Sequence, residues 1–125
     1  MTAKPPRERE GKVQKAIMVR LSRLGVKLWR RNIGAMTDKA GNFVRFAAPG
    51  QSDLWGVHEG RHWEIEVKRP GNKPTPTQLK WLKEMTAQGC VAYWADNPTT
   101  AELVAEAVLS GCEIVWRDGV DYDVQ

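Results

Sequence analysis

Val13, Ile17, Leu21 and Leu24 recur at spacings of four, four and three. That rhythm lays one apolar stripe along a helix, so it predicts a helix from about Glu10 to Leu24, closed by Gly25. The period then falls to two. VKLWRR (26–31) alternates as a strand does, and the loop-rich stretch after it holds DKAG, which can turn a small hairpin with FVRF as its return arm. DLWGV (53–57) and HWEIEVK (62–68) are two further strands joined by the turn HEGR. After the break RPGNKPTP, Thr75, Pro76 and Gln78 take the N-cap, N1 and N3 positions of a helix reaching about Gln88. CVAYWA (90–95) has the composition of a strand buried on both faces. Thr99 and Glu102 repeat the capping-box spacing and open a helix to about Leu109. EIVW (113–116) is a last short strand, and residues 117–125 are expected to form an acidic, frayed tail.

The expected order is α-β-β-β-α-β followed by a C-terminal helix and a short strand. Strands first meander and then alternate with helices, which predicts an α/β fold with a mixed β-sheet flanked by helices. Pro5, Pro6 and alternating charges make residues 1–9 a flexible basic arm, leaving one domain over residues 10–116. No internal repeat or low-complexity tract interrupts it.

A chain of 125 residues, 42% hydrophobic with six tryptophans, can bury one core and is too apolar for a disordered segment. No apolar run approaches the ~20 residues of a membrane span, and MTAKPPREREGK lacks the apolar centre of a signal peptide. Two cysteines, Cys90 and Cys112, make no disulfide framework or zinc motif, so a reduced cytoplasmic setting is expected. The net charge of +4 is unevenly spread. Residues 1–31 carry ten Lys/Arg against Glu8 and Glu10, whereas the rest carries nine basic and thirteen acidic residues. A basic third on an acidic body suits a polyanionic partner, nucleic acid or an anionic membrane surface; a solvated helix face with a basic tail is the alternative.

The chemistry concentrates in GQSDLWGVHEGRHWEIEVKRP (50–70). Alternate strand residues share a face, so Glu64, Glu66 and Lys68 point one way and Ile65 and Val67 point into the core. If the turn at 58–61 makes a hairpin, Asp53 lies beside Glu66 and Lys68. Two close carboxylates repel unless a proton or a cation intervenes. A hard divalent ion resolves the repulsion and prefers oxygen ligands. Lys68 is then placed to orient or deprotonate a water, or to steady charge on a phosphate. Such a set suits metal-assisted hydrolysis of a phosphodiester. On the alternation alone, without Asp53, the plainer reading is a cross-strand salt-bridge face.

Asp53, twelve intervening residues and then Glu66-Val67-Lys68 resemble the signature of PD-(D/E)XK nucleases, with Ser52 where that family often has proline. EGKVQ (10–14), WRRNIGA (29–35), GQSDLWG (50–56), EIEVKRPG (64–71) and TPTQLKWL (75–82) together resemble the virus-type replication-repair nuclease (VRR-NUC) domain over residues 8–96. The resemblance implies a restriction-endonuclease-like core. It implies that Asp53, Glu66 and the Val67 carbonyl ligate Mg²⁺ or Mn²⁺, with Glu10 reaching the metal through water. Lys68 would be the catalytic lysine, and Gln78 would approach from the following helix. It further implies a homodimeric, phage-type endonuclease on branched DNA such as four-way (Holliday) junctions, with no small-molecule cofactor and no membrane.

Other readings compete for single residues. Gln78 can serve the Thr75 capping box instead, and Glu10 can simply favour the positive end of its helix. Glu64 is expected to be solvated or to support the site from behind. The tryptophans are expected in the core or between sheet and helix, His58 and His62 as solvated or packing residues. Arg30, Arg31, Arg69, Lys73 and Lys80 are candidate phosphate contacts. Met36, Phe43 and Phe46 are candidates for a wedge or a dimer contact. At the level of function, a non-catalytic DNA-binding module and a sequence-specific restriction-type enzyme stand as alternatives.

Overall fold

The structure, a computed structural model, describes residues 6–31, 35–45 and 48–125. Helix α1 spans Pro6–Arg23, four residues earlier than the apolar stripe alone predicts. Its stripe behaves as expected: Ile17 and Leu21 are fully buried, with Val13 and Leu24 packed beside them. Gly25 follows the last turn, and the Val26 N–H donates to the Leu21 carbonyl at 2.9 Å.

Strands β1 (Leu28–Arg30), β2 (Ala35–Thr37), β3 (Phe43–Arg45), β4 (Leu54–His58) and β5 (Arg61–Val67) come next. β2 and β3 pair with each other as the small hairpin predicted around DKAG. The side chains of Met36 and Phe43, and all of Phe46, fall outside the described residues. Helix α2 (Pro76–Ala87), strand β6 (Val91–Ala95), helix α3 (Pro98–Leu109) and strands β7 (Ile114–Trp116) and β8 (Tyr122–Val124) complete the chain.

The central sheet has the order β1-β4-β5-β6. Its first two pairings are antiparallel, and β5 runs parallel to β6. The β4–β5 hairpin turns through Glu59 and Gly60, both at positive φ (49° and 78°), the backbone that matches strand twist in a two-residue turn. The parallel step needs a crossover, and α2 supplies it. One sheet face, with Leu54, Trp63, Ile65, Val67 and Tyr93, packs on α1 and α3 to form the main core. The other face takes α2, whose Leu82 is fully buried. The expected mixed sheet flanked by helices is what the chain forms.

Two local expectations fail. Helix α3 is capped by Asn97, whose side chain accepts from the Thr100 N–H at 2.8 Å, and not by Thr99. Pro98 at the first helical position fixes the start upstream of the Thr99–Glu102 spacing. Residues 117–125 are not a frayed tail, because β8 pairs with β7 and Tyr122 packs against Tyr93 and Trp116.

Candidate active site

Leu54 pairs with Ile65 across the hairpin, so one step further along the register Asp53 faces Glu66. Asp53 Oδ2 accepts the Val67 N–H at 3.0 Å, and the Asp53 carbonyl accepts the Arg31 N–H at 2.8 Å. The side chain is therefore held from β5 and its backbone from the end of β1. Upstream, Gly50 adopts φ +83° and presses on the first turn of α2. A Cβ there would lie 2.5 Å from the Thr77 carbonyl oxygen. Glycine lets the GQSD loop wedge between helix and sheet and deliver Asp53 to the pair.

The carboxyl groups of Asp53 and Glu66 are in hydrogen-bond contact. Lys68 Nζ lies 3.4 Å from Glu66 Oε1. Glu66 is almost completely buried, and among the described residues its Oε2 has no partner. Burial first, and the negative charge of Asp53 second, push the Glu66 carboxyl up to about 9, against the opposing pull of Lys68. Burial also raises Asp53, while the Val67 N–H and Lys68 work against that rise. By itself the pair retains a proton near neutral pH, with one oxygen left without a donor.

Glu10, half-buried on α1, is raised by its own burial and then by the charge of Asp53, and is lowered by Lys68 and Arg69. It thus shares the electrostatic neighbourhood of the site. Among the described residues no three His, Cys, Asp or Glu side chains gather closely enough to hold an ion directly. Glu10 stands back from the contact pair. Val67, the last residue of β5, meets the site through its N–H, which donates to Asp53.

Other predicted residues lie elsewhere or are otherwise engaged. Gln78 closes the capping box: its Oε1 accepts the Thr75 N–H at 2.9 Å, and its own N–H donates to Thr75 Oγ1 at 3.3 Å. The capping role that competed with the catalytic one is thus formed, and it uses one of the two lone pairs of this oxygen. Arg31 is turned inward, correcting its place among the phosphate contacts. Its guanidinium makes a bidentate pair with Glu64 at 2.6 and 2.8 Å and also donates to the Ser52 carbonyl at 3.1 Å. Arg30 is exposed and reaches the Gly11 carbonyl at 3.4 Å. Arg69 is half-buried, and Lys73 and Lys80 are exposed on the loop before α2 and on α2.

Glu64 is the residue that sequence reasoning undervalued. It is fully buried and accepts from Arg31, from Trp81 Nε1 at 2.7 Å, and contacts His62 Nε2 at 2.6 Å. Helix α2 covers this part of the sheet, so the alternation that suggested a solvated face instead marks a buried polar centre. The only sequence signal for it was the spacing of Glu64 from Glu66; nothing in the chain announces that Arg31 and Trp81 converge on it. Trp29 also departs from expectation, being 42% exposed.

No family profile matches this sequence, and no curated protein matches it. Among solved structures, the chain is similar to one described as a VRR_NUC domain, at 23% identity with a TM-score of 0.57. The match covers 78% of this chain and 95% of that one. The fold is thus of the VRR_NUC kind.

Proposed function

We propose that this protein is a divalent-metal-dependent DNA endonuclease that hydrolyses phosphodiesters in branched DNA such as four-way junctions, acting as a homodimer. The observation that carries the reading is the contact of half-buried Asp53 with buried Glu66, with Lys68 beside them. The VRR_NUC-type fold supports it. A buried carboxyl pair is a costly arrangement for stability alone, because each charge loses hydration and repels the other.

The donor set fits a hard divalent cation. All its atoms are oxygens, two carboxylates share one place, and Glu66 Oε2 lacks a donor. Asp53, Glu66 and the Val67 carbonyl would hold Mg²⁺ or Mn²⁺, with Glu10 acting through water. Bound there, the ion supplies Lewis-acid polarisation of a phosphodiester oxygen. Lys68 places its ammonium beside Glu66, where it orients a water or offsets charge developing on the phosphate. The Val67 N–H and Arg31 N–H fix Asp53 so that it need not reorganise. Exposed Arg30, Lys73 and Lys80, with Arg69, bind backbone phosphates without reading sequence. Free Cys90 and Cys112 suit action in the cytoplasm.

The test compares wild type with Asp53→Ala on labelled four-way junction, flap and plain duplex DNA in Mg²⁺, Mn²⁺ and Ca²⁺. Wild type should nick or resolve the junction in Mg²⁺ or Mn²⁺, and the variant should bind without cutting. Binding without any cutting by wild type would leave a non-catalytic DNA-binding module. Cutting of plain duplex at one sequence would favour a restriction-type enzyme. Mass measurement in solution checks the dimer.

A further inference from the structure

The face of the sheet that carries Asp53 and Glu66 continues outward as an aromatic row. Trp55 lies two residues beyond Asp53 on the same face, about 7 Å along the strand, and pairs across to Trp29 on the edge strand β1. The two indoles stack with centroids 5.3 Å apart, and Trp55 in turn stacks on His62 at 6.1 Å. His62 is anchored to buried Glu64 at 2.6 Å, so the row is fixed at its inner end by the same network that fixes Asp53. Its outer end is open: Trp29 is 42% exposed, and Lys27 Nζ sits 5.3 Å from its ring centroid.

A rigid, half-exposed indole pair with an ammonium beside it matches one partner chemistry closely. An unpaired nucleobase presents a free π-face to the indole and its phosphate to the lysine. A base inside an intact duplex has both faces occupied by its neighbours. A second copy of this chain is disfavoured as the occupant, because a two-fold contact here would bring Lys27 toward its own symmetry mate.

We propose that Trp29 and Trp55, with Lys27, form a stacking platform for an unpaired nucleobase of the substrate, adjacent to the phosphodiester at Asp53 and Glu66. This rests on the nuclease reading for its substrate and gives that reading a basis for choosing branched DNA that carries unpaired bases, such as a flap, over plain duplex. Lys27, exposed and beside the ring, moves to the phosphate when the base takes its place.

The experiment measures anisotropy of labelled DNA in EDTA, so that no cutting intervenes. The substrates are a flap with unpaired thymidines at the branch, the same flap with abasic sites there, and plain duplex. Trp29→Ala should weaken flap binding about tenfold, leave duplex binding unchanged, and keep the slope of affinity against salt, since no phosphate contact is lost. On the abasic flap the penalty should vanish. Trp29→Phe should retain most of the affinity, and Trp29→Leu replaces the alanine variant if the latter melts early. Equal loss on flap and duplex, persistence of the penalty on abasic DNA, or conversion of a dimer to a monomer by Trp29→Ala would each overturn the platform. A wild type that binds the flap through Trp29 yet never cuts in Mg²⁺ or Mn²⁺ would sink the nuclease reading and leave the platform standing.

Discussion

Arg31 holds both carboxylate oxygens of Glu64, at 2.6 and 2.8 Å, beneath the surface that carries the candidate catalytic pair. The same guanidinium donates to the Ser52 carbonyl, and the Arg31 N–H donates to the Asp53 carbonyl. One ion pair therefore ties the end of β1, the approach to β4 and the middle of β5 into a single unit. Trp81 adds α2 to that unit through Glu64. Asp53 is bonded to this unit through its carbonyl, which accepts the Arg31 N–H.

Breaking this pair from one side should be costly. Arg31→Met leaves buried Glu64 with His62 and Trp81 as its remaining side-chain partners among the described residues, and a loss of about 3–5 kcal/mol is expected. Glu64→Gln keeps the shape and part of the hydrogen bonding. It should fold, yet lose about 10–100-fold in metal affinity or activity through a misplaced Asp53. Urea melts and calorimetric metal titrations separate the two effects. Normal stability of Arg31→Met would show that the guanidinium is dispensable.

Glu66 gives the protein a pH signature. Its folded value, pushed up to about 9, exceeds the ordinary 4.5, so the folded state binds a proton that the unfolded state releases. The associated stability is fully present below about pH 4.5 and is lost as the pH rises toward 9. The slope is at most about 1.4 kcal/mol per pH unit for one proton. Without divalent ions, melting temperature should therefore fall between pH 6 and 8.5, and Glu66→Gln should flatten that fall. Added Mg²⁺ or Mn²⁺ should stabilise wild type more at pH 8 than at pH 6, because the ion takes the place of the proton. A wild-type and Glu66→Gln pair with parallel pH profiles would contradict the assignment.

Much of this fold was legible because the signals are local. Period-two alternation located β4 and β5, the 58–61 turn set their register, and that register brings Asp53 to Glu66. The Thr75–Gln78 box marked the start of α2. What stayed hidden depends on which element covers which face. Alternation places Glu64 beside Glu66 but cannot say that α2 will cross over that face, so a buried ion pair looked like a solvated one. For the same reason Arg31 looked available to DNA. Residues 117–125 contain the alternation Val120, Tyr122, Val124, and its acidic neighbours obscured it.

Lys68 separates binding from chemistry. Lys68→Ala removes the ammonium 3.4 Å from Glu66 Oε1, on a side chain that is only 13% exposed but lies outside the apolar core cluster. Cleavage of a junction should drop about 10²–10³-fold, while affinity for DNA changes only slightly. Lys68→Arg restores charge but not the compact donor and should recover little activity. Single-turnover rates under saturating protein read this directly. A variant that cuts at wild-type rate would remove Lys68 from the chemistry.

The C-terminal hairpin should prove structural. Tyr122 donates to the Trp94 carbonyl at 2.7 Å and packs between Tyr93 and Trp116, close to the end of β6. Lys68, at the end of the neighbouring strand, donates its N–H to the Ala95 carbonyl at 3.0 Å. Loosening the hairpin therefore reaches the strand that carries the site. Tyr122→Ala should cost about 2–3 kcal/mol, below the loss for a fully buried aromatic ring because Tyr122 is half-buried. Tyr122→Phe keeps the ring and loses only the hydroxyl, for about 1 kcal/mol. Denaturant melts of the two variants decide between a packed and a frayed end. If Tyr122→Ala melts with wild type, the hairpin contributes nothing to the fold, and the path from β8 through Trp94 to Lys68 is not one the protein uses.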